Sequence, residues 1–153
     1  MSDEKPRVLI PPPVLYAVAI GIGLWLERPL PWPLPGGAPR FWVGALLIAL
    51  AVVLFGWCAR ELRAHKTTIN PHRAASSLVD SGPFRFSRNP IYVSLTALLV
   101  GVGLLASSTW VLLMLVWVLP VMQRWVIARE EEHLRWRFGQ EYGHYCERVR
   151  RWL

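Results

Sequence analysis

Apolar and polar positions in this chain fall into long blocks, with none of the short-period alternation of a half-buried strand. Val14 to Leu26 is apolar and closes at Glu27-Arg28. Residues 27–40 then hold five prolines and two glycines, a composition that predicts a stiff external loop with Trp32 at the headgroup level. Phe41 to Ala59 is an apolar run of 19 residues, ended by Arg60-Glu61, and is the clearest membrane span in the chain. Residues 60–90 are polar. Ile91 to Trp110 forms a third apolar block, with Gly101 and Gly103 placed to let another helix approach closely. Ala106-Ser107-Ser108-Thr109 predicts a tight turn, and Val111 to Ile127 returns as a fourth block with a kink at Pro120. The remainder, Ala128 to Leu153, is charged and aromatic and predicts a helix lying at the membrane surface.

These blocks predict an all-α fold, a polytopic membrane helical bundle of about four transmembrane helices plus a C-terminal interfacial helix. The first block is short for a span of about 20 residues, so it must draw in Ile10 to Pro13 and anchor through Tyr16 and Trp25. At 153 residues the chain suits one domain, 1–153, with an N-terminal two-helix part at 1–62 and a core at 63–153. The first block follows Pro11-Pro12-Pro13 without a small-residue cleavage site, which predicts a retained anchor.

Charge changes the picture. The chain is 54% hydrophobic with nine tryptophans, yet its formal net charge is +7. The basic residues cluster between apolar blocks and offer no free face to nucleic acid, so a membrane protein with basic cytoplasmic loops is the better reading. Placing both termini inside puts all 17 Lys+Arg except Arg28 and Arg40 on the inner side. The expectation is therefore an integral, multi-pass protein with both termini cytoplasmic, in the inner plasma membrane if the source is bacterial. Residues 60–90 and the tail then share one side, where they can meet.

Candidate chemistry gathers in those two segments. Leu78 to Tyr92 packs Ser81-Gly82-Pro83 and Arg88-Asn89-Pro90 against the start of an apolar helix, the form of a ligand-holding loop. The tail offers Glu130-Glu131-Glu132, three carboxylates that must face water or meet a cation. Cys58 and Cys146 have no disulfide or metal spacing and read as unpaired thiols. The histidines His65, His72, His133 and His144 make no metal set and suit structural or surface roles. No phosphate loop or nucleophile elbow is present, which disfavours a hydrolase or a nucleoside-triphosphate machine.

The string Thr67-Thr68-Ile69-Asn70-Pro71, then Leu78-Val79, Ser81-Gly82-Pro83-Phe84-Arg85, and Arg88-Asn89-Pro90 with Tyr92, resembles the isoprenylcysteine carboxyl methyltransferase and phospholipid methyltransferase-like family. Glu130-Glu131, Leu134, Phe138-Gly139, Tyr142 and Tyr145 are similar to that family's closing signature. The resemblance covers about residues 67–153. It implies a membrane enzyme using S-adenosyl-L-methionine, releasing S-adenosyl-L-homocysteine, and acting on a lipophilic or prenylated acceptor or a membrane lipid. Carried over by position, it implies cofactor contacts from Ser76, Ser77, Leu78, Val79, Gly82, Phe84, Asn89, Pro90, Ile91, Tyr92 and Glu130. Arg88, Asn89, Tyr92 and Glu130 are the implied catalytic set, with no metal. Glu130 would meet the ammonium, Arg88 the carboxylate, and Tyr92 or Phe84 the cation.

Two positions depart from the resemblance. Asn89 stands where the prenylcysteine enzymes have His, and Asn cannot titrate near neutrality. Val126 stands one turn before Glu130, where carboxyl-methylating members have an arginine that orients a substrate carboxylate. The alternative to an enzyme is a non-catalytic membrane scaffold or transporter-associated protein with the same fold. The acceptor and the number of copies are left open by the sequence.

Overall fold

A computed structural model describes residues 11–65 and 78–153. Helix α1 spans Pro12–Leu26 and α2 spans Gly37–Ala64. A short 3-10 turn, Gly82–Arg85, precedes α3 at Pro90–Leu105. Helices α4 (Thr109–Leu113) and α5 (Leu115–Val121) lead through a π-helical segment, Met122–Ile127, into α6 at Ala128–Arg148. No strand occurs among the described residues, so the all-α expectation holds there. Two helical stretches, Gly37–Ala64 and Thr109–Arg148, are long and apolar enough to cross a membrane. Helices α1 and α3 are apolar but only 15 and 16 residues long, about 22–24 Å at the α-helical rise, short of a 30 Å hydrocarbon core.

Several boundaries differ from the sequence reading, each for a local reason. Helix α2 begins at Gly37, inside the segment expected to be loop, because Pro39 falls in the first turn, where its missing N–H is not needed. It also continues past Arg60-Glu61 to Ala64, since charged side chains do not stop a helix once it leaves the apolar layer. Trp110 belongs to α4 and not to α3: Ser107 adopts φ 59° and Ser108 caps α4, its hydroxyl accepting from the Val111 amide at 3.4 Å.

Small residues set the helix spacing. A Cβ on Gly44 would lie 2.8 Å from the Gly101 carbonyl oxygen, and one on Gly101 would lie 2.7 Å from Ile48, so α2 and α3 touch backbone to backbone. A Cβ on Gly103 would lie 2.6 Å from the Leu112 side chain of α4. The main core joins Tyr16 and Ala19 of α1, Tyr92, Leu95 and Leu99 of α3, Val111 of α4, and Val118, Met122, Val126 and Ile127 further on. Trp42, Val43, Leu46, Leu50, Val52 and Val53 of α2 are exposed, an apolar outer face of the kind lipid would cover.

Candidate active site

The bundle has two polar ends. At one, the turn between α3 and α4 meets residues 27–40. At the other, the segment 78–89 meets α6 and the tail, and this end gathers the candidate residues.

Proline chemistry builds the helical part of this end. Pro120 removes one backbone donor and crowds the preceding turn, and the chain relaxes into the π-helical segment that follows. One extra residue in that turn shifts the helical register after it, and the adjacent Glu130 and Glu131, about 100° apart around α6, meet different partners. Gly139, at φ 50°, then breaks α6 so that its second half folds back over residues 78–89. Tyr142, Tyr145 and Val149 pack there with Leu78, Leu134, Phe138 and Cys146.

Segment 78–89 is tied down from both sides. Ser81 donates its hydroxyl to Glu61 Oε1 of α2 at 2.5 Å, and Gly82 at φ 55° leaves no room for a Cβ beside the Glu61 carboxylate. Val79 and Phe84 are buried with Cys58 and Leu62, so both side chains pack against α2. Tyr145 donates its hydroxyl to the Phe84 carbonyl at 2.7 Å. From the tail, the Arg151 carbonyl accepts from the Asn89 side-chain amide at 2.9 Å and from the Ser87 hydroxyl at 3.4 Å. The Arg88 amide donates to the Arg150 carbonyl at 2.9 Å.

The two carboxylates do different work. Glu131 is buried and takes two parallel hydrogen bonds from Arg151, Nε to Oε1 at 2.9 Å and Nη2 to Oε2 at 2.7 Å. Arg88 Nη1 lies 3.3 Å from the same carboxylate and donates to Cys146 Sγ at 2.8 Å. Burial is the largest single influence and works against the Arg88 charge, but the Glu131 carboxylate together with Cys146 and Tyr142 holds the guanidinium above its ordinary range. The hydrogen bond to Glu131 does the same for Arg151. Glu130, half-buried, accepts the Tyr92 hydroxyl at 2.7 Å and joins the start of α3 to α6. Beyond the apolar stretch, burial pushes the Glu130 carboxyl above its usual range; the Tyr92 bond opposes this, and the charge of Glu131 adds to it.

Of the residues expected at a site, Tyr92 and Glu130 are brought into direct contact, and Arg88 and Asn89 sit in the strap between loop and tail. Pro90 is buried at the first turn of α3, and Ile91 packs between the two hydrophobic clusters. Ser76 and Ser77, like the Thr67 to Pro71 string, lie outside the described residues. Arg88, expected beside a ligand, has its Nη1 committed to Glu131, while its Nε is buried with no hydrogen-bond partner among the described residues. The sequence reading missed Glu131 as the buried anchor, Arg151 as its bidentate partner, and Glu61, Ser87 and Tyr145 as tethers. The signals for Glu131 were its place in the closing signature and in a run of three carboxylates that must face water or meet a cation. Arg151 stands 20 residues away and is reached only through the break at Gly139.

A helical, membrane-type bundle with one carboxylate reserved from the ion pairs, set at the mouth of an apolar helix, is the class that fold and site define. The chain belongs to the phospholipid methyltransferase family, whose model matches residues 39–141. It is 32% identical over 136 residues to the nickel-cobalt-cadmium resistance protein NccN of Alcaligenes xylosoxydans xylosoxydans, covering 89% of this chain and 57% of that protein. The chain thus spans little more than half the length of that relative. An uncharacterized protein of Haemophilus influenzae is 36% identical over 63 residues, 41% of this chain and all of that one. No solved structure matches the chain significantly.

Proposed function

We propose that this protein is an integral-membrane, S-adenosylmethionine-dependent methyltransferase acting on a lipophilic acceptor. The observation that carries the reading is the 2.7 Å contact between the Tyr92 hydroxyl and Glu130, outside the Arg88–Glu131–Arg151 ion-pair cluster. It leaves a carboxylate without a cation of its own in that cluster, at the place where the family's closing signature puts one.

The residues present suit the cofactor. Glu130 supplies an anion for an ammonium, and the buried Nε of Arg88, unpartnered among the described residues, retains a donor for a carboxylate. Backbone groups of Leu78, Val79 and Gly82 would complete the wall, with Tyr92 facing the cationic sulfur. The cofactor supplies a methyl group already activated on a sulfonium. The protein's contribution is then orientation and the exclusion of water, which the packed strap of residues 149–152 over the loop favours. In this reading α1, α2, α3 and the stretch from α4 to Ile127 make four spans, with α6 at the membrane surface and both ends and the site on the cytoplasmic side. The apolar acceptor arrives sideways from the bilayer.

Calorimetry with adenosylhomocysteine on purified protein tests the reading. The expected result is micromolar or tighter binding, lost by tenfold or more in Glu130→Gln, since a hydrogen bond to a charged group contributes about 1.5–3 kcal/mol. No binding at high micromolar concentration sinks it and leaves the second reading, a non-catalytic membrane protein. That alternative is favoured by the ion pairs of Glu131 with Arg88 and Arg151, which balance the charges of that cluster without a ligand.

A further inference from the structure

We propose that Arg40 holds the phosphate group of a membrane phospholipid at the hairpin end of the bundle, opposite the candidate active site. The inference does not depend on the methyltransferase reading.

Arg40 lies in the opening turn of α2 and is the last polar residue before the apolar run Phe41 to Ala59. That turn holds no carboxylate, and its N-cap makes no side-chain hydrogen bond to the helix amides. A cation placed there sits at the positive end of the helix dipole, an unfavourable position that a nearby anion relieves. Among the described residues Arg40 makes no ion pair. Residues 27–40 contain one acid, Glu27, against Arg28 and Arg40. Both oxygens of Glu27 are engaged, one by the Trp32 amide and the other by the Ser108 hydroxyl.

The donors of Arg40 are divided. Nη1 donates to two neutral acceptors, the Leu34 carbonyl at 2.7 Å and the Ser107 hydroxyl. These bonds fix the guanidinium against the loop and the turn before α4 without neutralising it. Nε is buried with no hydrogen-bond partner among the described residues, and Nη2 makes no bond to them either. The Nε–Nη2 edge is the planar fork that grips an oxyanion through two parallel hydrogen bonds. Arg151 turns that same edge on Glu131, Nε to Oε1 at 2.9 Å and Nη2 to Oε2 at 2.7 Å. At Arg40 the edge is held in place by Nη1 and used by no described residue.

Depth selects a lipid as the source of the anion. Phe41 and Trp42 are exposed and meet edge-on, ring centroids 5.4 Å apart. Trp32 is exposed as well, and its ring meets that of Trp110, whose Nε1 donates to the Leu30 carbonyl at 2.7 Å. Tryptophans exposed at the end of an apolar helix mark the headgroup level, and Arg40 lies at that level. Below it, Val43, Leu46, Leu50 and Val53 are exposed at spacings of three and four, an apolar stripe for acyl chains. A phospholipid brings a phosphate and two such chains together, so one molecule meets both features.

Native mass spectrometry of the full chain in a phosphate-free maltoside detergent tests the inference. Phosphatidylglycerol, a galactosyl diacylglycerol with the same acyl chains, and inorganic phosphate are added at equal concentration. The expected result is phosphatidylglycerol retained about tenfold more strongly than the galactolipid, with inorganic phosphate well below it. Arg40→Lys keeps the charge and loses the fork, and its retention of phosphatidylglycerol should fall severalfold. Arg28→Ala removes the same charge from an exposed side chain and should stay within about twofold of the parent. Thermal unfolding in the same detergent gives a second readout: phosphatidylglycerol should raise the Tm of the parent more than that of Arg40→Lys. Equal retention of the galactolipid, parental retention in Arg40→Lys, or an equal fall in Arg28→Ala overturns the inference and leaves Arg40 as a tether of the loop. Inorganic phosphate bound as strongly as phosphatidylglycerol overturns the lipid as the source.

Discussion

Each end of the bundle holds a carboxylate turned inward, and the two are treated differently. At the hairpin end, Glu27 accepts the Trp32 amide at 2.7 Å through one oxygen and the Ser108 hydroxyl at 2.6 Å through the other. Around it, Arg40 donates to the Leu34 carbonyl and the Ser107 hydroxyl, Trp110 Nε1 donates to the Leu30 carbonyl, and the Trp32 and Trp110 rings meet edge-on. Both oxygens of Glu27 hold neutral donors from nearby turns, which is the work of a latch. At the tail end the duties are divided: Glu131 takes the arginines, while Glu130 holds a single phenol. The difference teaches that the tail end keeps an anion in reserve, and the hairpin end does not.

The comparison breaks most visibly at Glu131. Glu131→Ala leaves Arg88 and Arg151 facing each other with no anion between them, and removing one member of a buried ion pair costs about 3–5 kcal/mol. Glu27→Ala removes neutral hydrogen bonds and should cost about 1–3 kcal/mol. Denaturant or thermal unfolding in detergent checks the ranking. Equal losses would mean that the two carboxylates are both simple latches.

Glu130 sharpens the same contrast through pH. Its carboxyl is raised by burial, so its charged form costs the apo fold stability above that raised value and costs nothing once protonated. Glu130→Gln should therefore match or exceed the parent's stability at pH 8, with the gap closing as pH falls through the raised value. Adenosylhomocysteine binding by the parent should weaken over that same interval, which begins at a higher pH than for an ordinary carboxylate. A Glu130→Gln protein markedly less stable at pH 8 would place Glu130 with the latches.

Away from both ends, Gly101→Val should cost about 1–3 kcal/mol, because its side chain would enter the Ile48 and Gly44 backbone contact between α2 and α3. The same unfolding measurement reads it. Adenosylhomocysteine affinity, referred to the folded fraction, should change little.

The apolar blocks were legible because a run such as Phe41 to Ala59 states its own length and needs no partner to interpret. Gly101 and Gly103 were legible for a related reason, since a glycine in an apolar helix has few uses other than close approach. The pairing of Tyr92 with Glu130 could be reached only through resemblance to a family, because 38 residues and an intervening helical hairpin separate them. Glu131 and Arg151 were not legible. Their contact depends on a π turn after Pro120 that shifts the helical register and on a positive φ at Gly139 that reverses the chain. Neither event leaves a periodic trace. Pro39 misled in the opposite sense, since a proline-rich string hides the one proline that starts a helix.

The smallest expected effect asks whether the tethers of the two ends serve different purposes. Tyr145→Phe removes only the hydroxyl that holds the Phe84 carbonyl, and Ser108→Ala removes only the hydroxyl shared by Glu27 and the α4 cap. Each loses about 0.5–1.5 kcal/mol of stability, the net contribution of one hydrogen bond. Their effects on adenosylhomocysteine binding should part company. Phe84 belongs to the 3-10 turn that shapes the loop, so its release loosens the segment a ligand would touch, and affinity should fall severalfold. Ser108 lies at the far end of α3, and its loss should leave affinity within error. If the two variants weaken binding alike, stability alone explains both, and the loop at the tail end is no more a site than the latch opposite.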